Sequence, residues 1–309
     1  MQLLPGQLTP ALHESLVRLG TWMPFARAAT ELGFFSHVRV GEATVRRVTE
    51  TAGAAYVAVQ TEAVDRLEHE LPPAPDGPEV QLLSVDGAMV PLLHKEWAEV
   101  KTLAVGSVTP PVWVHGEQVV HTRDLSYFSR LMDADTFGRL ALVETHRRGT
   151  ERAGTVCALS DGAEWAQGFI DLHRPDAVRI LDFAHAAAYV AKAGQAVWGE
   201  ATPAFGHWLT ETLHELKHGS VEAVFQTLRD MQLEISPRDP APATTIQESL
   251  NYLEKRRTHL DYARFQASGY PIGSGSVESA NKLVVEARLK GAGMHWARPH
   301  VDPMLALRT

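Results

Sequence analysis

The sequence is poor in cysteine and has no long uninterrupted hydrophobic segment. Cys157 is the single cysteine, which rules out an internal disulfide and a zinc site built on several thiolates. No run of 18 apolar residues occurs, so we expect no transmembrane helix. The first residues lack the basic and apolar segments of a signal peptide. These absences predict a cytoplasmic protein.

Positive charge is also scarce. The 309 residues include 29 Lys and Arg against 37 Asp and Glu, for a net charge of -8. This balance argues against a generally basic surface that coats nucleic acid, although a local basic face is compatible with it. Hydrophobic residues make up 45% of the chain, enough for one large domain or for a catalytic domain with smaller appendages.

The first 71 residues have helical periodicity. Thr9 is suited to cap a first helix, residues 25–33 form a second that ends in glycine, and a third begins at Gly41 and reaches about Leu71. This order fits a helix-turn-helix, and it fits a plain helical bundle as well. The residues that would contact DNA in a helix-turn-helix are Thr44, Arg46 and Arg47.

The prolines of residues 72–79 predict a linker, after which strands and helices alternate. The predicted strands are 80–85, 97–105, 119–125, 155–160 and 177–183, and the predicted helices are 133–148, 163–173 and 185–197. This order predicts an α/β fold with a mixed sheet. Residues 203–268 are predicted to be a helical insertion, with helices at 208–218, 221–231 and 246–262 and a loop at 236–243.

Three acidic residues stand where a shared site would need them. Asp86 and Asp161 each end an apolar run and precede a glycine, and Glu278 follows a Gly- and Ser-rich turn on the first turn of a helix. We expected both glycines to allow close approach of a substrate, and ligands to gather at strand ends. Three carboxylates suit Mg²⁺, including a pair of ions about 4 Å apart. Taken singly, each acid is more commonly a turn or cap residue.

Asp182 and His185 lie three residues apart at the start of a predicted helix, on one side of it. His185 could support an active site while Asp182 orients it. Alternatively, Asp182 caps the helix and His185 is a partly buried surface residue, which the residues alone favour. The other histidines lack zinc-ligand spacing, and the turn at 273–276 lacks the Lys of a phosphate-binding loop.

Seven segments together resemble the bacterial insertion-sequence DDE transposases of the ISKra type, whose layout is related to that of Mutator-like transposases. The segments are Ser84–Leu92, Glu96–Lys101, Asp124–Ser129, Leu159–Ala163, Ile180–His185, Ile272–Glu278 and Arg288–Trp296. They span most of the chain in the expected order. The joint resemblance is therefore specific, although no single segment is.

The resemblance implies an RNase H-like catalytic core at 80–202 and 269–309, interrupted by the helical insertion. It implies that Asp86, Asp161 and Glu278 are the catalytic acids and hold two Mg²⁺ or Mn²⁺ ions. It also implies that Asp182 and His185 form a supporting Asp-x-x-His signature. Asp182 is the alternative second acid, and Asp161 is preferred because its strand comes one helix earlier.

The implied activity is metal-dependent cleavage of DNA and transfer of the cut strand, performed by a homo-oligomer on element terminal inverted repeats and target DNA in the bacterial nucleoid. The residues expected to contact phosphates are Lys282, Arg288 and Lys290. The resemblance also raises the expectation of a truncated copy, because family members usually carry a cysteine-rich segment upstream. The alternatives are an inactive transposase-derived DNA-binding protein and an RNase H-like nuclease without strand transfer.

Overall fold

The structure is a computed structural model that describes residues 8–114, 117–235 and 240–309. The chain begins with helices α1 (Pro10–Trp22), α2 (Phe25–Ser36) and α3 (Glu42–Glu70). The hydroxyl oxygen of Thr9 accepts a hydrogen bond from the Leu12 N–H at 3.2 Å, which confirms the predicted cap. Helix α2 continues three residues beyond its predicted end and stops at His37, whose φ is +58°. A small core joins the three helices and includes Leu8, Leu16, Ala28, Leu32 and Val45.

A mixed five-stranded sheet forms the centre of the molecule. The strands of the described residues, in chain order, are β1 (Val80–Pro91), β2 (Trp97–Val108), β3 (Val112–Val114), β4 (Glu117–Val119), β5 (Thr122–Arg130), β6 (Thr155–Ser160) and β7 (Val178–Leu181), and five of them form this sheet. The order across the sheet is β5-β2-β1-β6-β7, while β3 and β4 form a separate hairpin. Strand β2 runs antiparallel to both β1 and β5, and β6 and β7 run parallel to β1. The predicted α/β fold with a mixed sheet is thus confirmed.

Strand β1 is longer than predicted, so Asp86 lies inside it and not at its end. The antiparallel pairing with β2 continues past Asp86 as far as the pair Pro91 and Trp97. Gly87 does not mark a turn. An added Cβ there would stand 2.3 Å from the Glu99 carboxylate, so it is this side chain that lies against Gly87. The predicted strand 119–125 is also displaced, because β5 pairs with β2 over Thr122–Arg130.

The remaining helices alternate with the parallel strands or follow them. They are α4 (Ala134–Arg147), α5 (Glu164–His173), α6 (Phe183–Trp198), α7 (Pro203–His218), α8 (Val221–Ile235), α9 (Pro240–Glu254), α10 (Tyr262–Ala267), α11 (Gly275–Ala280), α12 (Ala287–Leu289) and α13 (Val301–Ala306). The single helix predicted for 246–262 is two, because the chain turns at Arg257–His259. Within the predicted loop 236–243, residues 240–243 begin α9, and residues 236–239 lie outside the described part of the chain.

Both faces of the sheet are covered by helices. One face packs on α4, α5 and the second half of α3, with Phe137 and Phe169 against Leu83 and Phe128. The other face packs on α6 and on the insertion, where Phe225 and Leu250 share a core with strand residues such as Ile180. The described part of residues 203–268 holds helices and turns but no strand. The insertion is therefore helical, and it closes one side of the sheet.

The C-terminal end of the chain packs on the N-terminal helices. Gly53 of α3 lies so close to α13 that an added Cβ would stand 2.2 Å from the Pro303 carbonyl oxygen. The segment 72–79 is held to the core, since the Gly154 N–H donates to the Pro78 carbonyl at 3.0 Å. The predicted domain boundaries on either side of it stay a prediction. None of the helices in the described ranges is long and apolar enough to cross a membrane.

Candidate functional site

The parallel strands bring three aspartates to one level of the sheet. Ser84 of β1 pairs with Leu159 of β6, so two residues further on Asp86 and Asp161 correspond. Ser160 of β6 pairs with Leu181 of β7, so the next residues, Asp161 and Asp182, also correspond. Strands β6 and β7 end at this level and β1 continues beyond it. The register alone therefore aligns an acid from each of three neighbouring strands.

Asp86 is half-buried and interacts with the acid of the next strand. Burial raises the pKa of Asp86 most, the Gly87 N–H lowers it, and the nearby charge of Asp161 raises it again. The Asn281 side chain donates from Nδ2 to an Asp86 oxygen at 2.9 Å. Burial therefore contributes more to the raised pKa of Asp86 than repulsion from Asp161 does.

Asp161 sits in a tight loop between β6 and α5. Its side chain accepts a hydrogen bond from the Ala163 N–H at 2.8 Å. The loop is contacted from the insertion, because the Tyr252 hydroxyl donates to the Asp161 carbonyl oxygen and Arg256 donates twice to the Gly162 carbonyl oxygen, at 2.7 and 3.2 Å. Gly162 has a φ of +79°, and a Cβ there would stand 2.2 Å from Arg256. The glycine allows this arginine to approach, not a substrate as we had expected.

Asp182 is enclosed, with a side chain only 1% exposed. It accepts hydrogen bonds from the Ser274 N–H at 2.7 Å, the His185 N–H at 3.1 Å and the His185 ring Nδ1 at 3.0 Å. Burial alone would raise the pKa of Asp182, but the hydrogen bonds from His185 and Ser274 outweigh it and the net pKa is lowered. The capping role considered for Asp182 is therefore observed, together with the orientation of His185.

All three aligned aspartates influence the pKa of His185. The hydrogen bond to Asp182 raises the pKa of His185 most; burial opposes that effect, and the charges of Asp182, Asp161 and Asp86 add to it. The imidazole side chain is 43% exposed. A partly exposed imidazole that favours its protonated form thus stands beside the acids of three strands.

Glu278 lies on α11, which is fastened to the sheet at two points. Ser274, just before this helix, donates its N–H to Asp182 and its hydroxyl to the Glu278 side chain at 3.2 Å. Asn281, three residues after Glu278 and on the same side, reaches Asp86. The helix of Glu278 is therefore flanked by Ser274, which contacts Asp182, and by Asn281, which contacts Asp86.

The segment after α11 departs from α-helical geometry. Residues Asn281–Glu286 form a π-helical turn, a feature that is often found at functional sites. Asn281 is 6% exposed, and its Oδ1 has no hydrogen-bond partner within the described structure. Its spacing from Glu278 could have indicated its position. By contrast, the contacts of Tyr252 and Arg256 lie some 90 residues from Asp161 in sequence and had no local signal.

The donors at this level suit a hard divalent cation. Asp86 and Asp161 are neighbouring carboxylates, and Asn281 contacts Asp86 through its Nδ2 while its Oδ1 has no partner in the described structure. A cation there would relieve the repulsion from Asp161, which adds to the effect of burial on the pKa of Asp86. Within residues 8–114, 117–235 and 240–309, no three His, Cys, Asp or Glu side chains lie close enough together to hold a metal ion by themselves. The residues present fit such an ion through their chemistry and their alignment.

The basic residues that were expected to contact DNA differ in accessibility. Arg46 and Arg47 are exposed and, in the part of the chain that is described, form no ion pair. They line an open groove of about 920 Å³ together with His295 and Trp296. Thr44 is half-buried near the start of α3. Lys282 is exposed, while Lys290 pairs with Glu286 at 2.7 Å.

The predicted DNA contact of Arg288 is wrong, because its side chain is not available to DNA. It is 2% exposed and lies between the rings of Phe25 and Trp296, 4.6 and 4.9 Å from their centroids. It donates to the Gly20 carbonyl oxygen, and burial lowers its pKa to about 10. The phosphate contact expected for Arg288 is therefore wrong, and its side chain instead fixes α1 to the C-terminal part of the chain.

Comparison with known proteins leaves the chain without a family assignment, since no protein-family model matches it and no curated protein matches it significantly.

Proposed function

We propose that the protein is a DDE transposase, with an RNase H-like core, that cleaves DNA and joins the cut strand to target DNA in a metal-dependent reaction. Asp86, Asp161 and Glu278 are its proposed acids. The observation that carries the proposal is the alignment of Asp86 with Asp161 on neighbouring strands, where the helix of Glu278 is fastened to the first of them through Asn281.

The order of elements supports the RNase H-like part of the proposal. Three strands pair antiparallel, a helix leads to a parallel strand, a second helix leads to another, and a helical insertion precedes the helix of the last acid. This is the order that the resemblance to ISKra-type transposases implies. The long β1 is compatible with it, because the parallel pairing with β6 ends two residues before Asp86.

The proposed chemistry divides roles among the residues of the site. Mg²⁺ or Mn²⁺ held by Asp86, Asp161 and Glu278 would activate the attacking oxygen and stabilise the leaving one. Asn281 orients Asp86, and Asp182 holds both His185 and the turn that precedes Glu278. Because the net charge is -8, the DNA backbone would be bound by local groups of basic residues and not by a generally basic surface. The proposed contacts are the exposed Arg46, Arg47 and Lys282, together with the half-buried Thr44 and with Lys290, which is paired with Glu286.

The test is a cleavage and joining assay on a supercoiled plasmid that carries the gene with its flanking DNA. With Mg²⁺ or Mn²⁺ we expect nicks at the element ends and joining of the released 3′ ends to a second plasmid. Asp86→Asn, Asp161→Asn and Glu278→Gln should each lower the cleavage rate at least about 100-fold, since even residues that only support metal ligands cost 10–100-fold. Asp135→Asn, which removes one exposed carboxylate from α4, is the matched control.

The same assay separates the alternatives. Metal-dependent cleavage without joining would make the protein an RNase H-like nuclease. DNA binding with no cleavage in any metal would make it a transposase-derived DNA-binding protein. Cleavage that survives all three substitutions would refute the proposed acids.

A further inference from the structure

We infer that Tyr252 and Arg256 of the insertion are positioning residues for the second acid, Asp161, so that the helical insertion sets the geometry of the candidate site. The inference rests on the proposed function for the role of Asp161. The contacts that carry it are independent of that role, because they connect the end of α9 to the backbone of the Asp161 loop.

The backbone carbonyl groups at the ends of β6 and β7 accept hydrogen bonds from side chains of the insertion. Strand pairing stops at Ser160 and Leu181, so the following backbone groups need other partners. The Tyr252 hydroxyl donates to the Asp161 carbonyl oxygen, and Arg256 donates twice to that of Gly162. The Tyr262 hydroxyl of α10, itself 1% exposed, donates to the Leu181 carbonyl oxygen at 2.9 Å. One subdomain thus holds the backbone beside two of the aligned acids.

These donors are themselves fixed. The Tyr252 ring stacks on the Tyr189 ring of α6, with centroids 3.6 Å apart and planes 9° from parallel. The Arg256 guanidinium lies 3.8 Å from the centre of the Tyr252 ring and donates from Nη1 to the Tyr252 carbonyl oxygen at 3.0 Å. Because stacking and hydrogen bonds leave this pair little freedom, it can hold the Asp161 loop in one conformation.

The approach is specific to this loop. Gly162 has positive φ and a Cα that Arg256 contacts so closely that an added Cβ would stand 2.2 Å from it, so the loop and the arginine fit one another. Lys255, the preceding residue, forms a different interaction: it pairs with exposed Glu164 at 2.9 Å. The chain therefore provides a matched control, a cation at the same helix end that contacts the first residue of α5, next to the loop, by a surface ion pair only.

The test uses the full chain without DNA and compares Tyr252→Phe, Arg256→Lys and the control Lys255→Ala. The first removes one hydroxyl and keeps the ring stack, and the second keeps the charge but not the paired donors. The first readout is hydrogen exchange of the amides of residues 161–164, which reports the loop itself. The second is Mn²⁺ affinity by titration calorimetry. We expect faster exchange and roughly tenfold weaker Mn²⁺ binding in both variants, the effect typical of residues that support metal ligands, with a change under about twofold in the control.

Unchanged exchange in both variants would overturn the inference. So would faster exchange with unaltered Mn²⁺ affinity, provided that the wild-type chain binds Mn²⁺ and Asp86→Asn abolishes that binding. If the wild-type chain binds no Mn²⁺, the proposed function fails separately, and the exchange experiment alone then decides whether Tyr252 and Arg256 position the loop. Circular dichroism and a thermal melt show whether each variant has kept its fold, so that a global loss of structure is not taken for a local one.

Discussion

Replacing Asp182 with Ala should destabilise the protein far more than replacing Asp133 with Ala, although both aspartates cap helices. Asp133 accepts from the Thr136 N–H at 2.9 Å in solvent, at the start of α4. Asp182 accepts from the His185 N–H at 3.1 Å in the same capping geometry, but it is buried and also holds the Ser274 N–H at 2.7 Å. The comparison therefore keeps residue type and cap role constant and varies what else the carboxylate holds.

The expected loss follows from these contacts. A lost side-chain cap costs about 1 kcal/mol. The Ser274 N–H, left buried without an acceptor, adds roughly 1–3 kcal/mol. The pair with His185 adds little, since the imidazole is 43% exposed and screened by water. Asp182→Ala should thus lower the free energy of unfolding by about 2–4 kcal/mol, of which only the cap is shared with Asp133→Ala.

Urea unfolding followed by circular dichroism measures both losses, with equal slopes required before midpoints are compared. The pKa of Asp182 is lowered in the folded chain, so its contribution is present above its unfolded pKa of about 3.9 and is lost as pH falls through the lower folded value. The loss caused by Asp182→Ala relative to the wild type should be full at pH 7 and should shrink below about pH 4. A gap between the two variants of less than about 0.5 kcal/mol at pH 7 would refute the reasoning, because Asp182 would then be a simple cap.

Three further predictions concern neighbouring residues. The hydrogen bond to Asp182 raises the pKa of His185, so its contribution to stability is full below its unfolded pKa of about 6.5 and is lost as pH rises through the folded value. The wild-type chain should therefore lose stability relative to His185→Gln as pH rises above about 6.5, and a constant difference in urea midpoints would contradict this. Gly162→Ala should cost about 2 kcal/mol from positive φ and the displaced arginine. Gly168→Ala, whose added Cβ meets nothing within 4 Å in α5, should be neutral or stabilising in the same urea unfolding experiments. Asn281→Ala should cost less than about 1 kcal/mol, because it also removes an unpartnered oxygen, yet calorimetry should show roughly tenfold weaker Mn²⁺ binding; the opposite pattern would make Asn281 a structural residue only.

Local signals in the sequence predicted the elements that local forces determine. The short apolar run at 155–160 is β6 with the same bounds, because a buried parallel strand between polar segments has few alternatives. Thr9 caps α1 as predicted, and Asp133 caps α4 where the predicted helix begins, since a cap depends on residues only three positions away. The order of strands and helices followed from these signals.

Elements whose limits depend on distant partners could not be predicted in this way. The Asp-Gly after Val85 is a turn signal, but pairing with β2 carries β1 on to Pro91. Arg288 was expected to contact phosphate, and only its two aromatic neighbours, brought together by the fold, show that it is buried. The contacts of Tyr252 and Arg256 with the Asp161 loop are of the same kind, because no pattern in α9 indicates which carbonyl group its end will meet.

The three aligned aspartates differ in what they can still bind, and this difference decides between Asp161 and Asp182 as the proposed second acid. Asp182 already accepts from three donors and is 1% exposed, so a cation could reach it only at the loss of the Ser274 and His185 hydrogen bonds. Asp161 is partly exposed, and the hydrogen bond to its side chain comes from its own loop.

We therefore expect Asp161→Asn to weaken Mn²⁺ binding at least about tenfold with little effect on stability. Asp182→Asn should lower stability with little effect on Mn²⁺ binding, because an amide cannot accept from all three donors. Calorimetry and urea unfolding on the two isosteric variants measure both quantities. Weak Mn²⁺ binding in Asp182→Asn alone, with a fold as stable as the wild type, would make Asp182 the second acid and Asp161 a loop residue.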